Sequence, residues 1–287
     1  MGVKGAVSIN VGDIELRTSI RGEGPPLLMM NGLGGSLGVL EPLQNELLDF
    51  QTISFDPAGV GKSSPLTFPI RLPAHADYAA RLLDTLEIDK VDLFGVSWGG
   101  ALAQEFTYRH SDRVRRLVLT STTAGPGILI TPEVLLAFFD PRKRDSNTYM
   151  EKTAPTLFGG PARDNAKKLM ETGIFQHLAK KNSTSYYYQM AAAVGWSSLR
   201  YLWSIKQPTL VLTGDDDPLV RPYNSRIISW LLPNSELKVI EGEGHFMIVS
   251  SAAILAEAIR NFLTSNDSAY AAERQGMIEP AKSRVNV

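Results

Sequence analysis

Cysteine is absent from the 287 residues. That excludes disulfides, thiolate metal sites and a cysteine nucleophile, while leaving the redox compartment open. Histidine is scarce, with four copies, so a role for an imidazole base has few candidates. No run approaches the roughly 18 uninterrupted apolar residues of a membrane-spanning helix. The N-terminal stretch MGVKGAVSINVGDIEL lacks the apolar core and cleavage pattern of a secretory signal. Excess charge of either sign is also missing: 29 basic and 30 acidic side chains leave a net charge of -1, with no electrostatic footprint for nucleic acid or another polyanion. The expectation is a soluble, cytoplasmic protein.

What is present is alternation. AVSINV and IELRTSI flank Gly12-Asp13 and read as an antiparallel hairpin, because period-2 patterning meets a turn dipeptide. LLMM (27–30), TISF (52–55), VDLFGV (91–96), VRRLVLT (114–120), TLVLT (209–213) and LKVI (237–240) follow as short apolar strands. Between most of them lie segments of helical period, such as Ala79, Leu82, Leu83 and Leu86, or Leu255, Ala258, Ile259 and Phe262. Continuous apolar strands separated by helices predict a mostly parallel, doubly wound sheet covered on both faces. From about 126 to 203 the alternation stops, leaving helix-like, aromatic-rich sequence that includes Phe138, Phe139, Phe158, Tyr186, Trp196 and Trp203. A structureless loop of that length is implausible inside a compact domain. The expected division is a core of 1–125 and 204–264, an inserted helical cap at 126–203, and a mobile polar tail at 265–287. The cap's aromatics can form its own core, line an apolar cleft beneath it, or do both.

Two glycine-rich stretches invite a phosphate-binding reading. DPAGVGKSS (56–64) ends in Gly-Lys-Ser, but Asp56 stands where a phosphate loop needs glycine, and Pro65 comes too early for the following helix. NGLGGSLG (31–38) contains Gly34-Gly-Ser36-Leu-Gly38, and Gly95-Val-Ser97-Trp-Gly99 repeats the G-x-S-x-G pattern, so the bare motif decides nothing. Context does. The second copy directly follows the strand VDLF and directly precedes a helical segment, and strand, sharp turn and helix together thrust a serine hydroxyl out of the top of a sheet. Ser97 is therefore the candidate nucleophile. Ser36 is separated from its strand by extra glycines. Its loop suits a different role, in which the Leu33 main-chain N–H, with that of Trp98, is presented to a developing oxyanion.

A serine hydroxyl needs a base. His75, His110 and His177 read as ordinary surface or capping residues. His245, in EGEGHFMI after the last strand, stands where a base follows in the chain order serine, acid, histidine. TGDDDPLV offers Asp215, Asp216 and Asp217 as the acid that orients the imidazole. Asp217 is preferred because Pro218 fixes the turn that presents it, with Asp216 as the alternative. Three consecutive carboxylates with no spaced partner do not make a metal site.

These residues, with GVSWGGALAQ, FDPAGVGKSS, GDDDPL and Gly244-His245, identify the chain as similar to the α/β-hydrolase superfamily up to about Thr264. APTLFGG (154–160), YYYQMAAAVGW (186–196) and QPTLVLTGDDDPLV extend the likeness to intracellular medium-chain-length poly(3-hydroxyalkanoate) depolymerases. The cap segments are more specific than the three candidate catalytic residues, which many families share. The resemblance implies an α/β-hydrolase fold, a serine ester hydrolase without cofactor or metal, an aliphatic ester or polyester substrate, and a polymer granule surface as partner. Asn31 stands where many superfamily members have histidine. Asn31, Gly32, Phe246 and Trp196 are the expected substrate contacts. The basic turn Pro141-Arg-Lys-Arg144 reads as a solvated cap edge or as a contact for carboxylate product or granule. A small-molecule carboxylesterase, lactonase or C–C bond hydrolase shares the same chemistry, and a non-catalytic receptor shares the same fold. Epoxide and haloalkane hydrolases carry aspartate where this chain has Ser97.

Overall fold

A computed structural model describes residues 5–125, 136, 147–164, 166–171, 173–177 and 184–265. Strands β1 (Ala6–Asn10) and β2 (Glu15–Arg21) form the hairpin anticipated around Gly12-Asp13, with Ile9 opposite Leu16. The strands β3 (Pro26–Met30), β4 (Gln51–Phe55), β5 (Val91–Val96), β6 (Val114–Thr120), β7 (Thr209–Gly214) and β8 (Ser235–Ile240) complete one eight-stranded sheet. Its order is β1-β2-β4-β3-β5-β6-β7-β8, antiparallel from β1 to β4 through β2 and parallel from there on.

In β3, β5, β6 and β7 the runs are continuous because both faces are covered, whereas the edge strand β8, expected as another such run, is buried at Ile240 and otherwise partly or fully exposed. Leu28 and Met30 of β3 face one core, Leu27 and Met29 the other, and the same period-2 division separates Leu117 and Leu119 from Val118 in β6. On the first face lie α2 (Leu72–Thr85) and α3 (Trp98–Arg109), through Leu82, Leu83, Leu102 and Phe106. On the second lies α1 (Glu41–Glu46), through Leu43. Between β6 and β7 the described residues contain no strand. They form α4 (Asn147–Phe158), α5 (Pro161–Asp164), α6 (Ala166–Glu171) and α7 (Thr184–Ala193). After β7 come α8 (Pro222–Leu231), α9 (Met247–Ser250) and α10 (Ala252–Thr264), with Ile228 on the first face and Met247, Leu255 and Ile259 on the second. Phe138 and Phe139, the basic turn 141–144 and the tail beyond 265 lie outside the described residues.

Two arginines inside β6 look out of place and are not. Arg115 is buried against Asp92 of β5, with Nη2 at 3.2 Å from Oδ2. Arg116 reaches the C-terminal end of α10, where it donates to Phe262 O and to the hydroxyl and carbonyl of Ser265. A cation there satisfies terminal carbonyls and opposes the negative end of the helix dipole.

His75 departs from its expected surface or capping role. Proline near the start of α2 favours the first helical turn, and the apolar face the helix builds carries the imidazole inward to 3% exposure, edge-on to the Trp98 ring at 5.3 Å. Burial holds its pKa down at about 4. The unfolded chain therefore binds a proton near pH 6.5 that the folded protein refuses until about pH 4. The stability this neutral ring permits is complete above the higher value and falls as pH drops through the window, by about 3 kcal/mol. Chemical denaturation of the wild type and of His75→Phe between pH 7 and pH 4 should show that share of the acid-side loss removed in the variant.

Candidate active site

The carboxyl ends of β3, β5, β7 and β8 converge at one edge of the sheet, and each feeds a loop into the same place, as ligand sites do in open parallel sheets. Ser97 occupies the junction of β5 and α3 with φ 54° and ψ −119°. Its N–H donates to Thr120 O, and the Thr122 hydroxyl donates to its carbonyl. The turn can be this tight only because Gly99 has no side chain: a Cβ there would lie 2.1 Å from Met30 O.

His245 brings its Nε2 to 3.2 Å from Ser97 Oγ, while its Nδ1 lies 2.8 Å from Asp217 Oδ2. With the ring proton on Nδ1 directed at Asp217, Nε2 is left to accept the serine proton. Asp217 is fixed in turn, since its Oδ1 accepts from Leu219 N–H at 2.9 Å and Val220 N–H at 2.8 Å. Asp217 and His245 are 2% and 8% exposed, so the pair works in a shielded environment where charge interactions are strong.

The three neighbouring aspartates diverge. Asp215 accepts from Gly242 N–H. Asp216 turns the other way, accepting from Arg163 in a bidentate pair and from Gly160 N–H. The Arg163 guanidinium holds its carboxyl below the ordinary range. Only Asp217 faces His245. Among the described residues no cluster of carboxylates and histidines could hold a metal ion.

The loop after β3 passes beside Ser97, since a Cβ on Gly32 would sit 3.5 Å from Ser97 Cβ. Within it, Gly32, Gly34 and Gly35 N–H all have acceptors, namely Asn31 Oδ1, Gln189 Oε1 and Gly32 O. Among the described residues the Leu33 and Trp98 N–H groups have none, which leaves the two expected oxyanion donors available. Asn31 differs from its expected part as a substrate contact. It is buried and spends both amide atoms inside the loop, accepting from Gly32 N–H and donating to Ser36 O. Phe246 lies next to His245 and edge-on to Phe158, with ring centroids 4.2 Å apart.

Trp196 is not brought to this group. Its indole donates to Glu105 Oε2 at 2.9 Å, and Tyr201 OH binds the same carboxylate. Glu105 stands eight residues along α3 from Ser97, about 12 Å away, and Trp196 there borders a cleft with Arg71, Tyr108 and Arg200. The other two histidines also lie apart from the base position. His110 pairs with Asp77, and the main-chain carbonyl of His177 accepts from both N–H and hydroxyl of Ser36.

Sequence reasoning missed the residues that hold these loops from the β6–β7 segment. Phe158 O accepts from His245 N–H at 2.6 Å. Gly159, at φ +60°, packs so closely on the aspartate loop that a Cβ would fall 1.8 Å from Asp216 O. Gln189 touches both the β3 loop and Trp98. The signal in the chain is APTLFGG and YYYQM, which carry a family resemblance without disclosing the contacts they make.

This geometry is accompanied by a matching family model, described as alpha/beta hydrolase fold, over residues 25–252. The chain belongs to the α/β-hydrolase family and is an enzyme of that family. Among its relatives, a poly(3-hydroxyalkanoate) depolymerase of Ectopseudomonas oleovorans is 39% identical over 267 residues, spanning 89% of this chain and 91% of that one. A putative carbamate hydrolase of Azorhizobium caulinodans is 26% identical, over 88% of this chain and 96% of its own length. Of solved structures, a thermophilic esterase from Thermogutta terrifontis superposes with a TM-score of 0.76 at 27% identity, covering 90% of this chain and 97% of that one. The enol-lactonase from Burkholderia xenovorans superposes at 0.77 with 22% identity, covering 90% and 100%, a likeness of fold.

Asp217→Asn should cut turnover of a reactive ester by about 1,000- to 10,000-fold. Asp216→Asn breaks a surface ion pair and should cost less than about tenfold. Steady-state rates of the two variants decide between the neighbouring carboxylates.

Proposed function

We propose that this enzyme hydrolyses the ester bonds of a medium-chain poly(3-hydroxyalkanoate), or of its oligomers, through an acyl-enzyme. The observation that carries the reading is the chain of contacts from Asp217 through His245 to Ser97, in a protein 39% identical to a poly(3-hydroxyalkanoate) depolymerase. Ser97 Oγ attacks the ester carbonyl as its proton passes to His245 Nε2. The carbonyl oxygen becomes negative and is met by Leu33 and Trp98 N–H. His245 then returns the proton to the departing alkoxide, leaving an acyl-Ser97. Water, deprotonated by the same imidazole, attacks the acyl group and releases the carboxylic acid, with its proton returned to Ser97. Asp217 stabilises the imidazolium in both halves, and no cofactor takes part.

The segment 126–203 acts as a cap that shelters aliphatic side chains from water, with Gly32, Phe158 and Phe246 next to the acyl group. The substrate is an aliphatic polyester, with its granule surface as partner, and the enzyme works in the cytoplasm. Among the described residues no helix is long and apolar enough to cross a membrane. A second reading, a carboxylesterase for small soluble esters, is favoured by the likeness to the thermophilic esterase.

Medium-chain polyester granules and p-nitrophenyl esters, offered to the same preparation, separate the two. Release of 3-hydroxy acids from granules by the wild type, with about a 10,000-fold or greater loss in Ser97→Ala, is expected. Turnover of the soluble esters alone would overturn the polymer reading. Failure of an organophosphate to label Ser97 would overturn the serine mechanism.

A further inference from the structure

The loop proposed to present the oxyanion donor is held by a residue from outside the hydrolase core. Gln189 of α7 is 1% exposed. Its Oε1 accepts from Gly34 N–H at 2.7 Å, and its main-chain carbonyl accepts from Trp98 Nε1 at 3.0 Å. One residue thus touches both segments that carry the proposed donors, Leu33 and Trp98.

The geometry of the loop makes the first contact consequential. Gly35 N–H donates to Gly32 O at 3.0 Å, closing a four-residue turn in which Gly34 has φ +71°. A glycine at positive φ in the third place is the mark of a type II turn. The peptide between the second and third residues, here Leu33 and Gly34, is the one whose rotation converts that turn to type I. Gly34 N–H belongs to that peptide. A buried acceptor on it selects one orientation of the peptide that follows Leu33, and so holds the residue whose N–H is the proposed donor in a single turn conformation.

The remaining polar atom of Gln189 argues against simple packing. Its Nε2 has no partner among the described residues, and an unsatisfied buried donor costs about 1–3 kcal/mol. A methionine of similar shape would fill the space without that cost, so the amide is better explained by the acceptor it supplies than by the volume it occupies.

We infer that Gln189 is a positioning residue for the oxyanion hole, coupling the seating of α7 to transition-state stabilisation at Ser97. This rests on the serine-hydrolase reading above but not on the identity of the ester, so a soluble p-nitrophenyl ester is a sufficient probe. Gln189→Met should lower kcat by about 10- to 100-fold, less than or comparable to loss of a donor itself, with KM changed by less than about threefold. An alkyl trifluoromethyl ketone forms a tetrahedral adduct with the serine, and its inhibition constant should rise by the same factor as kcat/KM falls.

A merely structural role would lower the melting temperature or raise KM while leaving ketone affinity and kcat in place, and that result overturns the inference. Should Gln189→Met not fold, Trp98→Phe removes the Nε1 contact and keeps the Trp98 main-chain N–H. It should show the same parallel loss at about 3- to 10-fold, and unchanged ketone affinity in it overturns the inference equally. The wild-type control separates the two levels. No ester turnover and no ketone binding by the wild type defeats the hydrolase reading and this one with it, whereas an active wild type with an unaffected Gln189→Met defeats this one alone.

Discussion

The positive φ of Ser97 is the constraint on which the site depends. A non-glycine residue at φ 54° and ψ −119° is unfavourable by about 1–3 kcal/mol, and it persists because its surroundings leave no alternative. Thr120 O accepts its N–H, the Thr122 hydroxyl donates to its carbonyl, and α3 is drawn onto β3 at Gly99, where only a glycine fits. Relaxing that backbone would turn the hydroxyl away from His245 Nε2 and turn the first N–H of α3 away from the space beside it. The strain and the reactive geometry are one feature.

From that point the order of the site spreads outward through hydrogen bonds between loops rather than through the sheet. The Asp217 and His245 loops are tied together directly and again through the chain segment Phe158-Gly159-Gly160, whose backbone sits between them. The β3 loop is tied to the residues between β6 and β7 at Ser36 and at Gly34. The described residues between β6 and β7 therefore contact every loop proposed to contribute to catalysis. That arrangement suits a cap whose position is felt by the reacting atoms, beyond a lid that controls entry.

How much of this was legible in the sequence followed from the range of the forces involved. The inner strands were readable because both-face burial imposes a local pattern of apolar runs such as PLLMM of β3, whereas the hairpin and the edge strand β8 are partly exposed and mix polar with apolar residues. Ser97, Asp217 and His245 could be singled out because each follows a strand end in a fixed chain order. Asn31 and Trp196 illustrate the limit. An amide next to an oxyanion loop looks the same in sequence whether it faces substrate or braces its own turn, and here both its atoms are used internally. An indole between β6 and β7 looks the same whether it lines a cleft over the serine or is held two turns down α3 by Glu105. His75 shows the converse, since an imidazole on the inward face of α2 carries no local mark of its burial. Gln189 had no local signature either, because its partner Gly34 is 155 residues away.

The stretch DPAGVGKSS, which resembles a phosphate loop, shows how a backbone anion site can be turned to structural use. One of its amides, Lys62 N–H, does bind a carboxyl group, but the group is the protein's own Asp56. Asp56 Oδ2 accepts from Lys62 N–H, and its Oδ1 crosses to accept from Leu37 N–H at the end of the β3 loop. Burial pushes this carboxyl's pKa up, while the two backbone donors, Arg17 and His177 pull against that rise. A phosphate would have to displace a carboxylate that is covalently tethered and already desolvated, so the effective concentration of the internal ligand excludes the external one. The same carboxylate links the loop after β4 to the loop after β3, and the Asp56 that argued against nucleotide binding is a fixed point from which the proposed oxyanion loop is hung.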